Sequence, residues 1–356
     1  MADFFEIQRK EAFSAKPLGA VCVKESAIHK RNIASIVDMT SLSQRMPHVT
    51  AFPKALGTGI VISTPRPMHE DLRMRMSKFL ETYEQALSRF RNDSLVAEIG
   101  ESTHGGDFDF PDWSEPLFEL YDALFAATDG AIDPCIGEDL IRLGYDASLS
   151  FTVGPGAAEH LGAIRGRATW GVDVERHGTT LITHRPVHLD FGACGKGYLV
   201  DLLGDELSGA FEEFVIDAGG DLLIRSSEPI SIALEDPEDS TRAIGVAHVA
   251  NGALCASAPS RRHWNMPVNE RVQLSIHHLL NAIDGLPVQQ VEATWTCVAE
   301  TTGIPYPTAA ADGLATALFT TSPEQLRRKF PFTCVTLNTD RHDIIGGKFP
   351  GEIFSK

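Results

Sequence analysis

The sequence lacks the two features that mark exported and membrane-bound proteins. No run of about 18 apolar residues occurs in its 356 positions, so we expect no membrane span. Residues 1–10 are charged and contain no apolar core with a cleavage site, which argues against a signal peptide. These absences together predict a cytoplasmic protein.

Paired cysteines and an excess of positive charge are missing as well. The six cysteines are scattered and never form C-x-x-C, which argues against a zinc site or a redox motif. Lysine and arginine number 31 against 48 aspartates and glutamates, a formal charge of -17. Such a protein repels nucleic-acid phosphates, so we expect no nucleic-acid partner. A polyanionic ligand would need a local pocket that is basic or holds a metal ion.

The remaining composition is that of an ordinary soluble globular protein, with 43% hydrophobic and 22% charged residues. The length allows one large domain or two. No linker, low-complexity tract or internal repeat divides the chain. We therefore predict an N-terminal extension over 1–49, a single catalytic domain over 50–340 and a C-terminal tail over 341–356.

The most informative stretch is 188–202. It is typical of a strand that ends at Asp190, then a turn with three glycines between 192 and 197, then a helix. Glycines allow backbone N–H groups to converge, and the helix N-terminus and Lys196 add positive charge, which suits a phosphate. The spacing matches neither a Walker loop nor G-x-G-x-x-G. Taken alone, the pattern is explained better by an ordinary strand-to-helix connection with a solvated lysine.

A second pair of polar residues lies in the helical pattern of 309–318. Asp312 and Thr316 are four residues apart, so their side chains share one face of a helix. A carboxylate and a hydroxyl are hard oxygen donors that suit Mg²⁺ better than zinc. The structural alternative is a capping aspartate and a threonine bonded to its own helix.

Five ordered segments resemble the ApbE family, the flavin transferases that move FMN from FAD to a protein hydroxyl. Family members have D-L-G-G-I-A-K-G-Y where this chain has D-F-G-A-C-G-K-G-Y at 190–198. The family's L-G-G-N, T-S-G, H-H-I-I-D-P-x-T-G and A-D-A-L-A-T-A-L then follow in order, at 215–222, 253–264, 277–287 and 309–318. With the weaker upstream matches at 56–58, 93–95 and 128–134, the resemblance spans roughly residues 50 to 325.

The resemblance implies an α+β (mixed α/β), T-fold-like domain with largely antiparallel sheets. The local patterns agree, because helical periodicity covers 70–90 and 198–208 and a further helix begins after Ser114. The predicted strands are 55–64, 213–217 and a β-meander of 222–225, 230–234 and 244–250.

For function, the resemblance implies an Mg²⁺-dependent FAD:protein FMN transferase. Such an enzyme moves FMN from FAD to a Ser or Thr hydroxyl of a target flavoprotein and releases AMP. Two alternatives stay open: an FAD pyrophosphatase that gives FMN and AMP, and a non-catalytic FAD-binding protein. The sequence names neither the acceptor protein nor the oligomeric state.

The resemblance also implies roles for particular residues. His278 would be the general base and Lys196 would offset phosphate charge, while Ala193 (through its carbonyl), Asp312 and Thr316 would bind the metal ion. Because side chains alternate along a strand, only one of His277 and His278 can face the site. The positions matching FAD contacts are Leu56, Ala131, Ile132, Asp133, Asp190, Lys196, Gly219, Gly220 and Leu280.

The chain departs from the family pattern at several of these positions. Asn281-Ala282 replaces Asp-Pro, and Asp284-Gly285 replaces Thr-Gly. The usual Thr-Ser-Gly is Ala256-Ser257-Ala258. The loss of the carboxylate at 281 bears on transfer more than on FAD binding. The nearby Arg261 and Arg262 are candidates for contact with a phosphate or with the target protein.

Overall fold

The computed structural model of the chain describes residues 31–32, 39–269 and 272–354. Of the predicted N-terminal extension, 1–30 and 33–38 lie outside the described residues, as do 355–356 of the predicted tail. The described helices, in chain order, are α1 (Met39–Arg45), α2 (Glu70–Leu87), α3 (Leu95–Glu101), α4 (Glu115–Ala127), α5 (Gly137–Arg142), α6 (Trp170–Asp173), α7 (Gly195–Ser208), α8 (Pro307–Ala317) and α9 (Pro323–Leu326).

The strands divide into one large sheet and three small ones. The large sheet comprises β1 (Arg31–Asn32), β2 (His48–Phe52), β3 (Ile60–Thr64), β7 (Phe214–Asp217), β8 (Asp221–Asp236), β9 (Asp239–Ser257), β14 (Val291–Ala299), β15 (Thr333–Asn338), β16 (Asp343–Gly346) and β17 (Gly351–Ile353). The small sheets comprise β4 (Gly106–Asp109), β5 (Val174–His177) and β6 (Thr180–Thr183); β10 (His263–Asn269) and β11 (Val272–His277); and β12 (Leu280–Asn281) and β13 (Leu286–Pro287).

All strand pairs in the described residues are antiparallel, which confirms the predicted α+β fold. The large sheet has the order β16-β15-β14-β9-β8-β7-β3-β2, and β1 and β17 pair with other parts of β9. Its strands β16 and β17 lie within the predicted tail 341–356, and the division into extension, domain and tail stays a prediction. No helix in the described ranges is long and apolar enough to cross a bilayer.

The predicted meander of three short strands is wrong. The structure has two long strands, β8 and β9, that pair along most of their length. The register shifts between Arg225 and Ile230, where polar residues interrupt the apolar pattern. A β-bulge bends a strand without ending it, so the polar interruption resembled a turn in the sequence.

The segment before the glycine-rich turn is not a strand, contrary to the sequence prediction. Residues 186–190 form no ladder, and the Asp190 N–H instead donates to the Pro134 carbonyl at 2.7 Å. Val187 and Leu189 are both fully buried. Their alternating apolar pattern is typical of a strand, but the segment has no neighbouring strand to pair with. Ser114 also differs from its predicted capping role, since its hydroxyl is buried and makes no cap bond.

The main core lies between the large sheet and helices α2, α4, α7 and α8. Helix α2 buries one apolar face there, as its periodicity predicts, and ends at Leu87. Helix α8 packs on β9 and β14 and also against α7. The five cysteines of the described chain are all buried and free.

Glycine makes the contact between α7 and α8 possible. A Cβ on Gly197 would lie 2.3 Å from the Thr308 carbonyl oxygen, and one on Gly313 would lie 2.7 Å from Cys194 Sγ. Both distances are shorter than any real side chain tolerates, so only glycine permits this approach. The close approach brings the start of α7, with Lys196, against the face of α8 that carries Asp312.

Candidate functional site

A cavity of about 520 Å³ opens where the ends of several elements meet. Its walls come from the end of α2 and residues 88–91, from 131–136, from 190–196 and from the turn that follows β11. Asp312 and Thr316 of α8 form part of the same wall. The cavity therefore collects residues from segments far apart in the sequence.

Most of the predicted site residues line this cavity. The lining includes Leu56, Ala131, Ile132, Asp133, Asp190, Ala193, Lys196, His278, Leu280, Asp312 and Thr316. Gly219 and Gly220 are not among its lining residues; they form the turn between β7 and β8 with φ values of 73° and 107°. The individual roles of these residues stay predictions.

The centre of charge is a lysine between two buried carboxylates. Lys196 Nζ forms an ion pair with Asp221 and lies 3.3 Å from Asp312 Oδ2. Asp221 and Asp312 are 1% and 2% exposed, whereas the Lys196 side chain is 32% exposed. Asp221 was not singled out from the sequence, although it directly follows Gly219-Gly220 where the family has Asn.

The pKa values of Asp312 and Lys196 are shifted by burial and by the neighbouring charges. Burial, together with the nearby charge of Asp221, raises the pKa of Asp312 to about 7, although Lys196 acts in the opposite direction. Burial alone would lower the pKa of Lys196, but the two carboxylates reverse this and raise it well above the usual value. The cluster therefore holds two carboxyl groups and only one cation, and it favours any further positive charge.

The predicted metal ligands fit a hard divalent cation. Ala193, Asp312 and Thr316 line the same cavity, and a Cβ on Gly313 would lie 3.9 Å from the Ala193 carbonyl oxygen. A carbonyl, a carboxylate and a hydroxyl are oxygen donors of the kind that Mg²⁺ prefers. Within the described ranges, no group of three or more His, Cys, Asp or Glu side chains is arranged to hold a metal ion. An ion here would rest on one carboxylate, supplemented by neutral oxygens.

The sequence predicts that backbone N–H groups of the glycine-rich turn are free to bind a phosphate, but several of them are hydrogen-bonded within the protein. The Gly192 N–H donates to Asp190 and the Gly197 N–H to Asp312, at 2.6 and 3.1 Å. The Cys194 N–H donates to the Tyr121 hydroxyl at 3.3 Å. The loop amides thus hold the carboxylates of Asp190 and Asp312, which pair with Arg89 and Lys196 respectively.

The two adjacent histidines have different surroundings. His277 is 6% exposed, its Nε2 bonds the Val288 carbonyl at 2.8 Å, and it does not line the cavity. His278 lines the cavity, and its Nδ1 lies 3.2 Å from the Arg262 carbonyl oxygen. A carbonyl only accepts, so Nδ1 of His278 carries the proton and Nε2 is left as an acceptor. Burial lowers the pKa of His278 to about 4, which keeps the ring neutral near pH 7.

The departure at Asn281 leaves the local turn intact. Asn281 Oδ1 accepts from the Ile283 N–H at 3.0 Å, a bond that an aspartate would also make. The Asn281 carbonyl accepts from the Gly285 N–H at 2.7 Å, and Gly285 has a φ of 73°. The hairpin β12–β13 therefore keeps its shape, and Leu280 and Ala282 still line the cavity.

A buried arginine holds another part of the wall, and it was not identified from the sequence. Arg167 is fully buried; its Nε lies 2.8 Å from Asp139 and its Nη1 3.5 Å from Asp133. Its Nη2 donates to the Ala282 carbonyl at 2.7 Å. Asp133 also accepts from the Cys135 and Trp170 N–H groups. Arg167 thus joins the predicted FAD-contact segment 131–133 to the hairpin beside His278.

Leu56 is held in a backbone conformation that is uncommon for a leucine. Its φ is 52°, and its N–H donates to Glu84 Oε1 at 2.8 Å. Residues in this left-handed region cost free energy and are concentrated at functional sites. Leu56 lines the cavity and also packs against the main core, so its contact with a ligand stays a prediction.

Several known proteins resemble this chain in sequence. The sequence model of the ApbE family matches residues 56–330, which is more than three quarters of the chain. An FAD:protein FMN transferase of Chlamydia muridarum is 27% identical over 241 residues, covering 66% of this chain and 72% of that protein. The corresponding protein of Chlamydia trachomatis is 25% identical over 206 residues, covering 57% and 61%.

Solved structures agree at the level of the fold. The flavin transferase ApbE of Vibrio cholerae superimposes with a TM-score of 0.70 at 19% identity, covering 85% of this chain and 97% of that one. The ApbE protein of Thermotoga maritima gives 0.68 at 20% identity, covering 85% and 100%. The chain therefore has the fold of these solved ApbE structures. The chain belongs to the ApbE family.

Proposed function

We propose that this protein is an Mg²⁺-dependent FAD:protein FMN transferase. The observation that carries the proposal is the convergence of Lys196, His278, Asp312 and Thr316 on one cavity from three separate segments. The family membership and the names of the Chlamydia relatives support the same reaction. FAD is then the donor substrate, and a Ser or Thr hydroxyl of a target flavoprotein is the acceptor.

The reaction is a phosphoryl transfer with one bond made and one broken. The acceptor hydroxyl oxygen attacks the FMN-side phosphorus of the FAD pyrophosphate, and the bond to the bridging oxygen breaks. AMP leaves with that oxygen, and the acceptor is left joined to FMN by a phosphoester bond. His278 is suited to take the hydroxyl proton on Nε2, since it is neutral and its Nδ1–H is held by the Arg262 carbonyl.

Lys196 and its carboxylate partners prepare the site for the pyrophosphate. Ala193, Asp312 and Thr316 would hold Mg²⁺, which supplies positive charge to offset the phosphoryl oxygens. Lys196 keeps the Asp312 carboxylate in place through a contact of 3.3 Å and is itself partly exposed to the cavity. Its ammonium thus contributes to the charge balance around a bound pyrophosphate.

The hydrolase alternative differs only in its acceptor, because water would take the place of the protein hydroxyl. The non-catalytic alternative is less well supported, since the Lys196, Asp312 and Thr316 set is intact and the turn at Asn281 keeps its hydrogen bonds. We therefore retain the transferase as the proposed function.

Product analysis separates the transferase, the hydrolase and the non-catalytic binding protein. The protein is incubated with FAD and Mg²⁺, with and without an acceptor protein that the Vibrio cholerae enzyme modifies, and followed by mass spectrometry. We expect AMP and covalently flavinylated acceptor in equal amounts, and little AMP without acceptor. Release of AMP and free FMN in both reactions would identify a hydrolase, and unchanged FAD in both would identify a binding protein.

A further inference from the structure

Arg89, just beyond the end of α2, is a buried cation whose hydrogen bonding is incomplete. Its Nε donates to the Asp190 carboxylate and its Nη1 to the Tyr145 carbonyl, the latter at 2.7 Å. The side chain is 6% exposed. Its buried Nη2 has no hydrogen-bond partner among the residues that the structure describes. A buried charged donor without an acceptor is costly and calls for an explanation.

The position of Arg89 supplies that explanation. A few other side chains of the described chain also contain a buried polar atom without a hydrogen bond, among them Ser114 and Thr336. Of this set, Arg89 is the residue that lines the cavity. A ligand bound in the cavity is therefore the natural source of the missing acceptor.

The surroundings of Arg89 indicate which part of a ligand this is. The guanidinium carbon lies 4.2 Å from the ring centre of Phe90 and 4.7 Å from that of Tyr145. Asp190 already offsets the charge of Arg89 and would repel a second anion. Aromatic walls and a neutralised cation suit a flat heteroaromatic ring better than a phosphate.

We propose that Arg89 binds a heteroaromatic ring of the flavin substrate. Its Nη2 donates to a ring nitrogen or a ring carbonyl oxygen of either the isoalloxazine or the adenine. The Phe90 ring, which is partly exposed, packs on the guanidinium. Asp190 is then also a positioning residue, because its carboxylate fixes Arg89. This inference rests on the proposed function, because that function makes FAD the ligand.

Calorimetric titration of Arg89→Lys tests the proposal. Lysine keeps the positive charge and the pairing with Asp190, but it has no donor in place of Nη2. The matched control is Arg176→Lys, because Arg176 pairs with Asp122 through Nε and Nη2 and lies away from the cavity. The probes are FAD, FMN, AMP and inorganic pyrophosphate.

We expect Arg89→Lys to weaken FAD binding roughly tenfold or more, the scale of one hydrogen bond from a charged donor. The same loss for FMN alone would identify the isoalloxazine ring, and for AMP alone the adenine. Unchanged FAD affinity, or an equal loss in Arg176→Lys, would overturn the proposal. A loss shared by inorganic pyrophosphate would replace the ring contact with a phosphate contact and overturn it too.

A second measurement covers the case in which Arg89→Lys fails to fold. In a crystal structure of the wild-type protein with FAD, we expect Arg89 Nη2 within hydrogen-bond distance of a ring acceptor. An Nη2 with no ligand atom within 3.5 Å, or one on a phosphate oxygen, would refute the assignment. If the wild-type protein binds no FAD at all, the proposed function itself fails, which is a separate outcome from a wild-type protein that binds FAD without using Arg89.

Discussion

At the residue scale, the lysine of the glycine-rich turn has a role that its motif alone does not reveal. The sequence suggests a phosphate ligand among free amides, whereas Lys196 lies between the buried carboxylates of Asp221 and Asp312. Such a lysine serves two purposes, since it holds the carboxylates in place and adds positive charge to the cavity. Replacing it therefore affects folding stability as well as ligand binding.

We expect Lys196→Met to lower the free energy of unfolding by about 1–3 kcal/mol in chelator, because two buried carboxylates lose their cation. This range is reduced from that of fully buried pairs, since Lys196 is 32% exposed. FAD affinity should fall as well. Urea denaturation and FAD titration measure the two effects. Lys78→Met, on the exposed face of α2, is the control; equal stability of the two variants would contradict the assigned contacts.

His278→Ala should slow FMN transfer roughly a hundredfold or more and leave FAD affinity nearly unchanged, as expected for loss of a general base. The reason is that His278 lines the cavity as a neutral ring with Nε2 available. Single-turnover transfer and FAD titration separate the two quantities. If His277→Ala produced the slow transfer and His278→Ala did not, the assignment of the facing histidine would be wrong.

The motif residues were predictable from the sequence because their order and spacing carry the signal. Asp221 and Arg89 were not, since each gains its meaning from a partner more than 20 residues away: Asp221 from Lys196, and Arg89 from Asp190. Asp221 had a weak signal in its place after the double glycine. Arg89 had none, because an arginine at a helix end is most often solvated.

At the scale of secondary structure, the contact between α7 and α8 organises the site. Asp201 of α7 accepts from the Thr308 and Ala309 N–H groups at 3.0 and 2.8 Å, so it caps the first turn of α8 from outside. This cap fixes the helix that carries Asp312 against the helix that begins beside Lys196. The helices themselves were predictable from periodicity. The hydrogen bonds from the start of α8 to Asp201 were not, because they join residues more than 100 positions apart.

Asp201→Ala should therefore destabilise the protein by about 2 kcal/mol or more, because two buried N–H groups lose their acceptor. Chemical denaturation measures this loss. Asp205→Ala, one turn further along α7 and exposed, is the matched control and should change stability little. Equal stability of Asp201→Ala and the wild-type protein would show that the cap is unimportant.

The strands illustrate what sequence patterns miss at this scale. The sequence predicts β7 within one residue, whereas the strand predicted at 55–64 begins five residues too early, because 55–57 form a 3₁₀ turn before β3. The long pair β8–β9 was divided into three short strands, since its bulge is polar. Bulges depend on the register between two strands, which a single strand's sequence does not encode.

At the scale of the whole molecule, burial of carboxyl groups in an acidic protein makes stability depend on pH. Burial raises the pKa of Asp312 and that of Asp201 each to about 7. The unfolded chain releases these protons near pH 4, so the folded state binds more protons up to about pH 7. Their contribution to stability is thus complete below about pH 4 and is lost as the pH rises from there to about 7.

In chelator, we expect the melting temperature to fall between pH 5 and pH 7.5. The formal charge of -17 acts in the same direction, because repulsion among carboxylates grows as protons leave. Asp312→Asn should show a smaller fall, since one of the two carboxyl groups no longer ionises. Differential scanning calorimetry at the two pH values makes the comparison. A melting temperature that rises with pH, or equal falls in both proteins, would contradict the buried-carboxyl account.

The central claim is that this cavity transfers FMN with the help of a divalent cation held by Asp312, Thr316 and Ala193. The most direct test is the rate of acceptor flavinylation by the purified wild-type protein and by Asp312→Ala, each in Mg²⁺ and in EDTA. We predict transfer by the wild-type protein in Mg²⁺ and loss of transfer in EDTA. For Asp312→Ala we predict no transfer in either buffer, with the fold retained by circular dichroism. Full transfer by Asp312→Ala in EDTA would contradict the metal site and the mechanism that depends on it.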